Sequence, residues 1–385
     1  MPLHKIIVKN YKSLKDLQLD LKPFMVFIGP NNAGKSNIFD CLQFLSDFVK
    51  RGREGHRAVR ERGGFDQIVF NGDIGQTISF ELFGSIRVKE KERHYRYFVE
   101  LSGGTWEGFS NKYETFSLRE NSSQKLLEFP TKDNMARTWD ESGKERGGYG
   151  GGNQGLYLSY YYDESNYPVL GHFSNEVKNW SFFNFFPGMM RESLPVRKEL
   201  QLLSFGENLS LLFHTLQTEY PQKFKEIEGI LKSAIPEIEE LTTALTSHET
   251  GRTYVRVREK SIKPSIPALG MSDGTLRLLG HLATLYLPTL PPLVCFEEPE
   301  NYVHARLLEL IVDLLKNASE KTQVFITTHS PYLVDFLQPE DLYIVEKHDG
   351  ATQVKKAEDK KDIKEALKTL GLGEMWYAGS LGGNP

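Results

Sequence analysis

The sequence predicts an α/β fold, and three observations carry that expectation. First, an apolar run at Met25–Ile28 is followed by a glycine-bearing turn and then by Ile38, Leu42, Leu45 and Val49 at helical spacing. Second, apolar runs at Leu293–Phe296 and Val324–Ile326 alternate with helical patterns, and each ends in polar or acidic residues. Third, from about Gln76 to Phe129 the apolar period changes to two. Unbroken apolar runs suit strands buried on both faces of a sheet, whereas alternation suits antiparallel strands with one wet face.

Each element can be justified in chain order. Ile6, Ile7 and Val8 open a strand, Leu17, Leu19 and Leu21 alternate in a second, and Met25–Ile28 form a third. Asn37–Lys50 reads as the helix after the turn. Ile78, Phe80 and Leu82, then Tyr95, Tyr97 and Val99, predict the antiparallel strands of a lobe. Gly147–Gly155 (GGYGGGNQG) predicts a flexible loop and an internal boundary. Helical patterns run from about Arg197 to Leu241, interrupted at Pro221 and Pro236. A strand (Tyr254–Val257), a helix (Gly274–Leu287), a strand (Leu293–Phe296), a helix (Val303–Asn317) and a strand (Val324–Thr327) then rebuild an α/β core. The expected organisation is one core split in sequence across 1–385. Its parts are an N-terminal portion at 1–72, a β-rich lobe at 73–195, a helical segment at 196–250 and a C-terminal portion at 251–385. No heptad pattern is sustained, so long coiled-coil arms are not expected.

Composition narrows the function classes. With 385 residues and a formal net charge of −4, the chain has no global basic field, so any DNA contact has to be local. The two cysteines, Cys41 and Cys295, both lie in apolar runs, which fits buried thiols and excludes a disulfide framework. The opening MPLHKIIVKNYKSL lacks a signal-peptide core, and no apolar stretch approaches the roughly 18 residues of a membrane span. The expectation is a cytoplasmic protein with no membrane partner.

Four segments carry chemistry. Gly29-Pro30-Asn31-Asn32-Ala33-Gly34-Lys35-Ser36, followed by Asn37, fits the phosphate loop GxxxxGK[ST] in the required strand–turn–helix context. Its glycines let backbone N–H groups curl round phosphate oxygens. Lys35 brings a cation to the β and γ phosphates of ATP, and Ser36 offers a hydroxyl to Mg²⁺. The apolar strand Leu293–Phe296 runs into Glu297-Glu298-Pro299-Glu300. Glu297 there suits a water-mediated hold on Mg²⁺, and Glu298 suits polarisation of the attacking water. Ser272-Asp273-Gly274 opens a helix about twenty residues earlier, pointing a hydroxyl and helix N-terminal amides at an anion. His329, in Thr327-Thr328-His329-Ser330-Pro331, sits where a strand end can sense the γ-phosphate and hold water together with Glu298.

These four elements, in this order, resemble the ABC-type ATPase heads of the SMC, RecF and OLD families. The likeness is greatest to arm-less single-chain ATPases of bacteria and archaea. NYKSLKDLQLDLKPFMVFIGPNNAGKSN, GENLSLLFHTL, SDGTLRLL and LGEMWYAGSLGG extend it. The resemblance implies an ABC/SMC-like P-loop nucleotide-binding head, with a mainly antiparallel β lobe and a helical insertion. It also implies a homodimer formed on ATP, in which the phosphate loop of one chain faces Ser272, Asp273 and Gly274 of the other. Most relatives place Asp where Glu297 stands; the extra methylene is tolerable if magnesium is held through water. A Q-loop glutamine is part of the pattern, and Gln67 is the nearby candidate, in a poorly matching context. His304 is a candidate contact at the dimer seam or, equally, a helix-start residue. OLD-type nucleases carry a TOPRIM domain of roughly a hundred residues after the head, whereas 56 residues follow His329 here (385 minus 329) and contain no DxD pair. The chain is therefore expected not to cut nucleic acid itself.

The leading functional expectation is a switch ATPase that dimerises on ATP and controls a separate effector protein, in phage defence. The alternative is a RecF-like ATPase that clamps DNA. That alternative draws on Lys50, Arg51, Arg53, Arg57, Arg60 and Arg62, which would neutralise phosphates if they lined a cleft; Glu54 and Glu61 interrupt the run. A transporter subunit is disfavoured because the insertion does not look like a membrane-docking subdomain.

Overall fold

A computed structural model describes residues 2–383 apart from 89, 105–108, 120–122, 150–154, 162, 247–250, 360–362 and 364–369. The chain forms two compact units. One is Met1–Trp180 with Tyr343–Asp359 and Gly382–Pro385; the other is Ser181–Leu342 with Lys360–Leu381.

The first unit is dominated by an eight-stranded antiparallel sheet. Its order is Leu14–Asp20, Leu3–Tyr11, Ile78–Val88, Lys91–Gly103, Phe109–Arg119, Ser123–Phe129, Ala136–Trp139 and Glu145–Tyr149. The alternation seen in the sequence sets its register. Phe80 and Leu82 pair with Val99 and Tyr97, and all four are buried on one face. Against that face packs the helix Lys35–Arg51, whose Phe44 meets Tyr11 and Phe80 at 5.3 and 5.7 Å between ring centres. The strand Phe24–Ile28 is buried at every residue and lies beside Leu342–His348, which forms a hairpin with Ala351–Lys356.

The second unit has a parallel layer, Ser181–Phe183, Leu293–Glu297 and Gln323–Thr328. The helix Leu308–Ser319 is the crossover between the last two of these strands, as parallel pairing requires. A smaller antiparallel sheet joins Leu194–Pro195, Arg252–Glu259, Ile238–Leu245 and Ile266–Pro267. The helices Leu209–Glu219, Pro221–Ala234 and Asp273–Leu285 complete this unit.

Three local expectations need correction. Gly147, Gly148 and Tyr149 belong to the strand Glu145–Tyr149 and not to a loop, because they complete the ladder to Ala136–Thr138; residues 150–154 lie outside the described residues. Helix does not begin near Arg197 but at Leu209. Asn208 holds the preceding segment in a non-helical turn, donating to Gln201 O at 2.8 Å and accepting from Leu203 N at 2.9 Å. Finally, Ile238–Leu241 is strand, since Pro236 stops the helix and the β-branched Thr242 and Thr243 favour the extended form. Cys41 and Cys295 are buried free thiols.

Candidate functional site

In the first unit, the phosphate loop spans the turn between Phe24–Ile28 and Lys35–Arg51. Gly34 has φ 104°, a left-handed conformation that glycine adopts without strain. A Cβ there would lie 2.0 Å from Thr352 Oγ1 and 2.8 Å from Ser13 Oγ. That close approach exists because the loop is braced from behind. Thr352 Oγ1 donates to Ala33 O at 2.8 Å and shares a 2.6 Å hydrogen bond with Ser13 Oγ, to which Asn37 Nδ2 also donates. Lys35 is buried, and its ammonium donates to the loop carbonyls of Gly29 and Pro30 at 2.7 and 2.9 Å. No side chain caps the helix that follows, and its first turn holds no acid. The start of that helix therefore carries neither a side-chain cap nor a carboxylate that would compete with an anion.

In the second unit, Glu297 and Glu298 stand at the carboxyl end of Leu293–Glu297. Glu298 N extends the parallel ladder by bonding Thr327 O at 2.9 Å. Glu298 itself has φ 47°, a left-handed conformation that is uncommon outside glycine, asparagine and aspartate. This turns its carboxylate toward the next strand end, where His329 Nε2 lies 3.6 Å away. Asn301 Nδ2 also donates to that carboxylate. Glu297 accepts from Asn184 Nδ2 at 3.1 Å. Glu300 is turned inward, accepting from Thr328 Oγ1 at 2.6 Å and from His329 N at 3.1 Å; burial pushes its carboxyl up from the usual range. Glu298 and Glu300 thus hold different atoms of the same strand end: Glu298 meets the imidazole, and Glu300 fixes the backbone that carries it.

Ser272 is the N-cap of Asp273–Leu285, its Oγ accepting from Thr275 N at 3.2 Å. Asp273 accepts from Arg191, which also donates to Met271 O at 2.7 Å. At Gly274 a Cβ would lie 2.6 Å from Tyr302 O, so only glycine lets this helix start approach the turn after the acidic strand. Two residues that sequence reasoning passed over sit one helical turn apart on the same helix. Arg277 donates to Glu298 O at 3.0 Å, and its guanidinium lies 5.8 Å from the Tyr302 ring centre. His281 Nε2 lies 3.2 Å from Pro299 O, with its ring between Phe185 and Phe296. Burial, reinforced by the Arg277 charge, pushes the His281 imidazole down to about 3, so the ring is neutral and Nε2 carries the proton for Pro299 O. The available signal was a pair of polar residues at i and i+4 inside an otherwise apolar helical run.

The remaining candidates have local partners. Gln67 is exposed on the short helix Phe65–Ile68, its amide donating to Asp66 at 2.9 Å. His304 caps a helix start, accepting from Arg306 N at 3.2 Å. Much of the basic run is spent on local partners. Arg51 pairs with Glu61, Arg57 pairs with Glu54, and half-buried Arg62 binds Asp40 and Asp47 while lying 5.2 Å over the Phe44 ring. Asp40 also accepts from Tyr11 and Lys12, so this corner is a closed ionic network.

The residues present fit ATP and magnesium. Gly29 and Gly34 pack on Val345, Thr352 and Ser13 more closely than any Cβ allows, as a tight phosphate-binding turn requires, and Ser36 adds a hydroxyl of the hard-oxygen kind that Mg²⁺ takes.

Comparison with known proteins agrees with the fold. The family described as "AAA domain, putative AbiEii toxin, Type IV TA system" matches residues 24–141 and 150–335. A chromosome partition protein Smc of Methanocaldococcus jannaschii is 52% identical over 44 residues, 11% of this chain and 4% of that protein. An ATP/GTP phosphatase of Helicobacter pylori is 20% identical over 362 residues, covering 92% of this chain and 91% of the relative. Among solved structures, an Smc head bound to the C-terminal winged-helix domain of ScpA aligns with a TM-score of 0.58 at 14% identity, covering 95% of this chain and 100% of the other. An Smc head from Pyrococcus furiosus, with an extended coiled coil and bound to the C-terminal domain of ScpA, aligns at 0.54, again at 14% identity, covering 95% and 99%.

Proposed function

The chain belongs to this AAA-domain family of SMC-type ATPases, and from that premise we propose that it is a magnesium-dependent switch: two copies close around ATP, hydrolyse it slowly and thereby control a separate effector protein. The observation that carries the reading is the meeting of the Glu298 carboxylate with His329 Nε2 at 3.6 Å, in a chain that also holds a complete GxxxxGKS loop. A carboxylate and an imidazole converging at strand ends are what is needed to orient and deprotonate a water.

In this reading Lys35 leaves the loop carbonyls for the β and γ phosphates, and the Gly29–Asn37 segment wraps them with its amides. Ser36 and Glu297 would hold magnesium, which when bound would supply charge neutralisation at the phosphates. Glu298 takes the proton of the attacking water, and His329 positions that water. Ser272, Asp273 and Gly274 serve the nucleotide of the second copy. Support for the closed pair comes from the fold class and from the exposed, capped geometry of the Ser272 turn. The effector and a role in phage defence extend the family reading. Among the described residues no helix is long and apolar enough to cross a membrane.

The test is Lys35→Ala. It removes the cation fixed at the phosphates, so the native chain's tight ATP-binding isotherm should be lost in calorimetry. Wild-type affinity in this variant would remove the phosphate-loop assignment and the function built on it.

A further inference from the structure

Within the second unit, the strand Arg252–Glu259 has two short neighbours along one edge. Leu194–Pro195 pairs at Thr253 and Arg252, and Ile266–Pro267 pairs at Val257 and Arg256. The two neighbours leave the edge between them, at Tyr254 and Val255, uncovered by either strand. A cavity of about 580 Å³ opens there, lined among others by Arg191, Ser193, Tyr254, Arg256, Ser265 and Leu269.

The chemistry of that lining is one-sided. It presents the guanidinium of Arg256, that of Arg191 (already bonded to Pro187 O, Met271 O and Asp273) and several hydroxyls, and no carboxylate among its described lining residues. Arg256 uses Nε to donate to Thr242 Oγ1 at 3.1 Å, and its two terminal nitrogens have no recorded partner among the described residues. Planar guanidinium groups flanked by hydroxyls match a phosphate better than any neutral group. Tyr254 adds a ring, and Leu269, 76% exposed, adds an apolar flank. The volume is within the range of small-molecule sites and exceeds what a bare phosphate fills.

The cavity is also tied to the Ser272 turn. Ala268–Gly270 forms part of its wall and runs directly into Met271 and Ser272. Arg191 reaches from the lining to Met271 O and to the Asp273 carboxylate, so an anion in the cavity competes with Asp273 for the same guanidinium.

We propose that this cavity is a second ligand site, for a small organic phosphate of nucleotide size, and that its occupation retunes the turn carrying Ser272. The binding half stands on the cavity alone; the regulatory half rests on the role given to Ser272 above.

The experiment separates the two. In Lys35→Ala protein, which lacks the phosphate-loop cation, calorimetry with AMP and, separately, with inorganic phosphate reads the second site alone. AMP should bind more tightly than phosphate, and adding Arg256→Ala should weaken it at least about tenfold, with Arg256→Lys intermediate. Circular dichroism of each variant checks that the fold is kept. In the otherwise native chain, Arg256→Ala should leave basal ATPase activity unchanged and abolish any change in rate caused by AMP. AMP binding that survives Arg256→Ala, binding of phosphate with AMP excluded, or no binding of either at millimolar concentration overturns the proposal. Unchanged ATP affinity in Lys35→Ala with Arg256-dependent AMP binding would instead count against the phosphate loop and leave this site standing.

Discussion

Arg277, buried in the Asp273–Leu285 helix, donates to the backbone carbonyl of Glu298 at 3.0 Å. With His281 on Pro299 O, one turn further along, it ties the helix that starts at Ser272 to the left-handed turn that aims the Glu298 carboxylate. Burial disfavours the Arg277 charge, and Glu300 and Glu298 offset that penalty. Arg277→Met keeps the apolar stem and removes the donor. It should lower kcat on the order of 10- to 100-fold through misplacement of Glu298, with ATP affinity little changed. Arg277→Lys should recover part of the loss. A rise in KM at constant kcat would contradict a positioning role.

Ser272→Arg should leave ATP binding to the single chain nearly intact while blocking dimerisation and turnover. Loss of the N-cap costs only about 1 kcal/mol, so the fold survives. The bulk and charge at the Ser272 turn would do the damage, because in the proposed closed pair that turn would meet the other copy's nucleotide. Wild-type ATPase activity in this variant would count decisively against the closed pair.

Glu114 is the buried polar centre of the first unit. Its carboxylate accepts from Tyr97 Oη, Asn111 Nδ2, Tyr157 N and Leu158 N at 2.9, 2.6, 2.7 and 2.8 Å. Glu114→Ala leaves all four donors buried without this acceptor and should destabilise the protein by about 3 kcal/mol. Chemical denaturation should register that loss together with faster amide exchange at Tyr157 and Leu158. An unchanged midpoint would mean that water replaces the carboxylate there.

Chelation of divalent cations should abolish hydrolysis, and added Mg²⁺ should restore it, if the ion has the role the proposed function gives it. Turnover that persists in excess chelator would remove Glu297 from its assigned place.

Much of this was legible in the sequence because the signals were local. The unbroken Met25–Ile28 and Leu293–Phe296 runs became buried strands, and the alternation at Ile78–Leu82 and Tyr95–Val99 became paired ones. Asn208 was not legible, because its hydrogen bonds to Gln201 and Leu203 override helical spacing in the residues before it. Nor was the brace of Ser13 and Thr352 behind Gly34, which joins residues 339 positions apart in the chain. Periodicity reads neighbours three or four residues away; it does not report a hydroxyl that closes a loop from the far end of the sequence.

Glu298→Gln, followed by size-exclusion with light scattering, tests the central claim most directly. The amide keeps the size of the side chain but cannot act as a base, so the chemical step should slow by roughly 10²–10⁴-fold while ATP still binds. Glu300→Gln serves as the comparison, because Glu300 accepts from Thr328 Oγ1 and from the His329 backbone. The account predicts that Glu298→Gln protein elutes as a monomer or looser assembly without nucleotide. With ATP and Mg²⁺ it should persist as a closed dimer, with turnover nearly lost. A Glu298→Gln chain that hydrolyses ATP normally, while Glu300→Gln alone is dead, would contradict it.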